Sequence, residues 1–343
     1  MLEFGIFDHL DRRDEPLAQT YARRLELVRA AEAAGFRGYH LAEHHGTPLG
    51  MAPSPGVFLA AVAQATSRIR LGPMVYLLPL YIPLRLIEEI CMLDHLSGGR
   101  LDVGTGRGAS PAEVGFFGVP GEASAEIYAE ALEVIVKGLS AERLSHHGRY
   151  FHYDDVPMVM RPLQRPVPLW TGSMSPDGQV HAARRGMHFV GLGRTAQIAQ
   201  AAAHYRQAWE ASREDPLRPP GGPATPYVGA YRMVVAAATD AAAERLARPA
   251  YLDWFEKFAK LWRERGLTST FLGPLSSFEA ARAAGSLVCG TPARVADALA
   301  AQAEACALNY FMVQLSFGNL PHDAELRSLE RFAAEVMPAL AHS

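Results

Sequence analysis

Residues 2–45 read LEFGIFDHLDRRDEPLAQTYARRLELVRAAEAAGFRGYHLAEHH. The stretch opens on a short apolar run at 2–7 that has the length of a strand. Tyr21, Leu25 and Val28 then recur at helical spacing, with Arg23, Arg24 and Glu26 on the opposite face, and Gly35 ends the helix. A second short apolar run follows at 39–42. Strand, amphipathic helix and strand in this order are the unit of a parallel sheet, because parallel neighbours need a crossover between them.

The alternation continues outward from this unit. A helix is expected over 57–65, a strand over 71–78, a helix over 83–96 and a fourth strand over 101–103, followed by a Gly-rich turn. Further units are a helix at 124–138, strands at 167–170 and 188–190, helices at 175–185 and 195–211, a strand at 227–238, a helix at 293–305 and a strand at 310–315. About eight strand-helix repeats predict an α/β chain folded as a (β/α)8 TIM barrel, one domain over 1–343. Two segments break the rhythm and read as insertions. The first, 148–162, looks extended; the second, 248–286, is helical in flavour, and its Trp254, Phe255, Phe258, Leu261 and Trp262 suit a core or a subunit interface. Residues 215–225, rich in proline, read as a surface loop.

Composition narrows the function classes. The 343 residues are 49% hydrophobic and 20% charged with a net charge of −3, and the cations are scattered, so nothing points to nucleic acid or an anionic membrane. Glu3 and Asp8 interrupt the first apolar stretch, which is unlike a secretory signal, and no apolar run approaches the ~20 residues that span a bilayer. A cytoplasmic location is expected. Three cysteines, Cys91, Cys289 and Cys306, form no CxxC pair and read as small core residues.

In such a barrel the chemistry sits after the carboxyl ends of the strands. Period-2 alternation puts His40, Ala42 and His44 on one face of the second strand, with His44 last before the Gly46 turn. A histidine there is a candidate general base or hydrogen-bond anchor. His40, Glu43 and His44 also spell the H-x-x-E-H pattern of one class of zinc peptidase, but that chemistry needs a helix and this segment reads as strand, so no metal is expected. Gly104-Thr-Gly-Arg-Gly-Ala109 follows a strand and offers glycines and the Arg107 fork, which suits a phosphate site; a tight turn accounts for the same residues. Thr171-Gly-Ser-Met-Ser-Pro-Asp-Gly178 leads into a helix whose amino terminus is either a second anion clamp or an ordinary cap at Ser175 with Pro176 behind it. Serine-hydrolase elbows and Walker loops do not occur.

Several short motifs, in their order, resemble the bacterial luciferase-like monooxygenases along nearly the whole chain. They include Leu41-Ala-Glu-His-His45, Ser97-Gly-Gly-Arg100, Gly104-Thr-Gly-Arg-Gly108, Ala182-Ala-Arg-Arg-Gly186 and Gly290-Thr-Pro292. The resemblance implies a dimeric barrel that uses reduced FMN and O2 on a small organic substrate. It implies that His44 supports catalysis beside the flavin, that Arg107 binds its phosphate, that Ser175 with Met174 and Gly178 forms the second clamp, and that Met74-Val75 lies where the family can place a non-proline cis peptide beneath the ring. A second nicotinamide fingerprint is not found, which favours a separate flavin reductase. Gly106 stands where bacterial luciferase has its reactive cysteine, and Met174 and Gly178 replace an acidic residue and a threonine of the light-emitting enzyme, so light emission is not implied. The alternatives are a deazaflavin-dependent dehydrogenase of the same fold and a non-catalytic flavin-binding partner subunit.

Overall fold

The computed structural model describes residues 2–269 and 272–341. Strand β1 (Glu3–Asp8) leads to helix α1 (Leu17–Ala33), β2 (Gly38–Leu41) to α2 (Pro55–Ala65), and β3 (Arg70–Pro73) with β4 (Tyr76–Leu77) to α3 (Pro83–Leu96). After β5 (Val103–Gly106) come the short α4 (Pro111–Phe116) and α5 (Ser124–Ser140), then the strands β6 (Arg143–His147) and β7 (His152–Pro157). The alternation resumes with β8 (Leu169–Thr171), α6 (Pro176–Arg184), β9 (His188–Gly191), α7 (Thr195–Ala211), β10 (Val228–Ala236) and the long α8 (Asp240–Glu264). It ends with α9 (Leu272–Leu275), α10 (Phe278–Ala283), β11 (Leu287–Gly290), α11 (Pro292–Cys306), β12 (Tyr310–Gln314), α12 (His322–Arg331), a π turn and α13 (Met337–Leu340).

The parallel strands run in the order β3-β2-β1-β12-β10-β9-β8-β5-β4. Because β3 and β4 are halves of one interrupted strand, and Leu71 bridges to Leu101 just before β5, the two ends of this path meet and the sheet closes on itself. The result is the (β/α)8 barrel that the alternation predicts. An extra strand, β11, pairs with the far half of β10, from Met233↔Leu287 to Ala236↔Gly290.

Alternate residues of each strand face inward. Phe7, Ala42, Met74, Trp170, Val190, Tyr310 and Met312 form one buried cluster inside the ring, whereas Phe4, Ile6, Tyr39 and Leu41 join the larger core between sheet and helices. The amino-terminal end of the ring is plugged by polar groups: Asp102 takes Arg37 Nη1 at 2.9 Å and Arg70 Nη2 at 2.8 Å, and His40 Nε2 meets the Tyr310 hydroxyl at 2.8 Å. His40 therefore lies on a strand inside the barrel, not on a helix face shared with His44.

Four expectations are corrected. The third strand is not continuous over 71–78 but breaks at a cis Met74–Val75 peptide. The fourth strand extends through Gly106, so Gly104 and Gly106 are not part of a turn: a Cβ on Gly104 would lie 2.5 Å from the Pro73 carbonyl oxygen, and one on Gly106 would lie 2.3 Å from Val75 Cγ2. These glycines let β5 approach the interrupted strand, and the turn comes at Gly108, with φ +94°. The insertion expected at 148–162 is an antiparallel pair that begins earlier, at Arg143, with Gly148 between its strands rather than at its border. Finally, α1 buries Thr20, Arg24, Leu27, Val28 and Ala31, so Arg24 sits on the inward face; Asp8 at 2.8 Å and Asp11 at 3.7 Å supply the charges that make this tolerable. All three cysteines are buried. Among the described residues no helix is long and apolar enough to cross a membrane.

Candidate active site

His44 follows His40 and Ala42 on the inward face and reaches the carboxyl end of the ring. Its Nδ1 lies 3.2 Å from both carboxylate oxygens of Glu113, and the same carboxylate accepts the His45 backbone N–H at 2.8 Å. Glu113 stands in the first turn of α4, whose cap is Ser110. Burial by itself raises the Glu113 pKa, but the neighbouring His44 ring and the His45 amide outweigh it and hold the group below its ordinary value. A carboxylate cannot donate, so Glu113 sets the proton of a neutral His44 on Nδ1 and leaves Nε2 as an acceptor. One residue earlier, Glu43 takes His45 Nε2 at 2.8 Å on one oxygen, and the Leu77 N–H at 3.1 Å and the Tyr81 hydroxyl at 2.9 Å on the other. It ties the histidine loop to β4.

The Met74–Val75 peptide is cis, between β3 and β4. Strand pairing aligns β2 with β3 through Leu41↔Pro73, and β4 with β5 through Leu77↔Gly106, so this peptide, His44 and the loop after β5 share one end of the barrel.

Arg107 is exposed in that loop and makes no hydrogen bond or ion pair among the described residues. Its strand pairs with β8 through Thr105↔Thr171, so Arg107 and Ser173 each stand two residues beyond the last aligned pair and leave the barrel side by side. Ser175 caps α6, its hydroxyl accepting the Gly178 N–H at 3.2 Å and lying 3.2 Å from the Ser173 hydroxyl. A Cβ at Gly178 would fall 2.0 Å from Ser173 Oγ, so a side chain there would have to displace that hydroxyl. Met174 turns back into the protein, where its sulfur receives the Leu192 N–H at 3.3 Å. Asp177 adds an acidic group to the first turn of α6.

Sequence reasoning missed Glu113, Ser173 and a further cluster across the mouth. His9 continues the inward face of β1 after Phe7, and its ring stacks on His44 at 5.5 Å. Its Nδ1 lies 3.1 Å from Gln314 Oε1, the last residue of β12, and 3.4 Å from Trp254 Nε1 of α8. The period-2 argument that found His44 applies equally to Gly5, Phe7 and His9, and to Tyr310, Met312 and Gln314; Trp254 carries no such local signal.

Comparison with known proteins agrees with this architecture. The sequence profile of the family described as luciferase-like monooxygenase matches residues 2–308. The chain is 40% identical over 337 residues to the uncharacterized protein y4wF of Sinorhizobium fredii (strain NBRC 101917 / NGR234), covering 98% of this chain and 96% of that one. It is 27% identical over 361 residues to the oxygenase component of the flavin-dependent trigonelline monooxygenase of Acinetobacter baylyi, covering 100% of this chain and 96% of the relative. The crystal structure of the monooxygenase RslO1 from Streptomyces bottropensis is similar with a TM-score of 0.83 at 25% identity, over 98% of this chain and 99% of that one. Profile, full-length relatives and fold coincide, and the chain belongs to the luciferase-like monooxygenase family.

Proposed function

We propose that this protein is a monooxygenase that binds reduced FMN, supplied by a separate reductase, at the carboxyl end of the barrel and uses O2 to oxygenate a small organic substrate. The observation that carries the proposal is the meeting, at one end of neighbouring strands, of the His44–Glu113 pair and an exposed Arg107 with no partner among the described residues. The likeness to the oxygenase component of a flavin-dependent enzyme supports the separate reductase.

The residues fit the group. Arg107 offers a free planar fork to a phosphate, and the Ser173 and Ser175 hydroxyls and the start of α6 stand beside it. Asp177 opposes an anion at this spot unless its carboxylate turns outward. Met74 and Val75, pressed against Gly104 and Gly106, and His44 at the same end of the barrel would line the place for the ring. When bound, reduced FMN supplies the electrons by which one oxygen atom enters the substrate and the other leaves as water. His44 Nε2 would take or return a proton, while Glu113, fixed on Nδ1, stabilises the cationic ring that results. The surrounding aromatic wall would limit water entry.

A homodimer is part of the proposal: Val57, Ile82, Met92 and Leu96 leave apolar side chains 44–75% exposed on or beside α2 and α3, and a second copy of this face is the occupant we assign to them. Sedimentation that shows only monomers removes that part.

The test is anaerobic titration with reduced FMN and, in parallel, with a reduced deazaflavin, followed by rapid mixing with O2 and a panel of aldehydes, ketones, alkanes and sulfonates. Saturable binding of FMNH2 and oxygen transfer to one panel member are expected. Saturable binding of the deazaflavin alone points to the dehydrogenase, and copurification with a second, active chain points to the non-catalytic subunit; either sinks the proposal.

A further inference from the structure

His9, like the buried His40 and His188, has one ring nitrogen held by the protein and the other left over, but of the three only His9 packs against His44. Its residue exposure is only 7%, yet Nε2 makes no hydrogen bond to any described residue and is not sealed from solvent. The ring lies against His44 at 5.5 Å, Phe7 at 4.9 Å, Trp254 at 5.7 Å and Tyr231 at 6.2 Å. The open nitrogen therefore belongs to the same mouth as His44.

Two groups contend for Nδ1, and the orientation of Gln314 decides between them. Its Nε2 donates to the Ser316 carbonyl at 3.0 Å, and its Oε1 accepts the Tyr231 hydroxyl, so it is Oε1 that faces His9 at 3.1 Å. A carbonyl oxygen only accepts, hence Nδ1 carries the proton. The Trp254 indole N–H also points at Nδ1, from 3.4 Å, and is the longer of the two contacts; this tautomer leaves it unpaired. Burial, reinforced by His44, pulls the His9 pKa down to about 3 and keeps the ring neutral.

We propose that His9 Nε2 is a fixed hydrogen-bond acceptor that reads the substrate, so that the molecule oxygenated here carries an O–H or N–H donor close to the atom that reacts. Tyr231, Gln314 and Ser316 act as positioning residues that hold the tautomer. A pocket with an unpaired acceptor discriminates strongly against a ligand that covers the acceptor without donating to it. The inference rests on the proposed oxygenase reading only in taking the barrel mouth as the substrate site.

Two measurements on the full-length chain test it. Long-range 15N spectra of histidine-labelled protein, with the His9 signals identified by their loss in His9→Gln, are expected to show a neutral ring protonated on Nδ1 from pH 8 to pH 5. A proton on Nε2, or an imidazolium at pH 5, overturns the proposal. Phenol and toluene, of equal shape but with O–H in place of methyl, are then titrated as probes. Phenol is expected to bind the wild type roughly three- to tenfold more tightly, a preference lost in His9→Phe and partly kept in His9→Gln, whose side-chain oxygen can still accept. No preference in the wild type, including no binding of either probe up to the solubility of toluene, or an equal preference in His9→Phe, overturns it. Failure to bind reduced FMN with the tautomer and the phenol preference intact would instead sink only the flavin assignment.

Discussion

Arg107, His44 and Glu113 are expected to fail in different ways when altered, because one would grip a phosphate and two would handle a proton. Arg107→Ala should weaken FMN binding by about 1.5 to 3 kcal/mol, the range for a charged hydrogen bond, read by fluorescence titration. His44→Ala should leave that affinity nearly intact and lower turnover. Glu113→Gln keeps the shape but removes the charge that stabilises a protonated His44, so turnover should fall and its pH profile shift while binding of FMN holds. Equal losses of binding in all three would refute this division of roles. Gly106 belongs to the same scale. The resemblance puts Gly106 where a reactive cysteine is expected in bacterial luciferase, but in this structure it makes room for a neighbour, and Gly106→Ala, with its Cβ 2.3 Å from Val75 Cγ2, should cost roughly 1 to 3 kcal/mol in urea unfolding.

The elements that close the ring depend on places where backbone meets backbone. A Cβ on Gly72 of β3 would lie 1.6 Å from the Asp102 carbonyl oxygen, and no rotamer relieves a backbone clash. Gly72→Ala should therefore destabilise the fold by at least about 3 kcal/mol, measured as a drop in the urea midpoint; an unchanged midpoint would mean that the two ends of the sheet are not in contact. The β6–β7 pair shows why its borders were hard to read. Glu130 of α5 accepts the backbone N–H groups of Arg149, Tyr150 and Phe151 and meets His146 at 3.2 Å, so a carboxylate 19 residues or more away in sequence from the turn holds it in place. Nothing local to 148–162 announces that contact. The segment 248–286 is legible as helical, but β11 just after it is not legible as a strand, since the apolar run Leu287-Val-Cys-Gly290 is short and its partner is the far half of β10.

For the molecule as a whole, acid should be a specific weakness. Burial lowers the pKa of His9 and His40 to about 3 and of His188 to about 4. Below the ordinary histidine value near 6.5 the unfolded chain binds protons that the folded chain refuses, so the stability these groups contribute is complete above that pH and is lost as pH falls toward the folded values. These three alone make the slope as steep as about 4 kcal/mol per pH unit between pH 6 and 4, and the half-buried His181, lowered to about 4, acts in the same sense. Asp11, whose pKa burial raises, acts in the opposite sense. Urea unfolding at pH 7, 6 and 5 should show the decline, and His188→Gln should remove about one proton from it; a flat profile would show that these rings are not buried neutral.

By itself the sequence determined the parallel sheet, the eightfold alternation and the inward face that ends on His44, because side-chain direction along a strand repeats every two residues and can be counted without knowing the partner. It also marked Arg107 and the Ser175 cap as groups leaving strand ends. Only the tertiary structure decided that His44 pairs with Glu113, that Gly104 and Gly106 make room for Met74 and Val75, and that His9 meets Trp254 and Gln314, which lie 245 and 305 residues away. Those contacts exist because the ring closes, and closure is a property of the whole packed sheet that no local periodicity encodes.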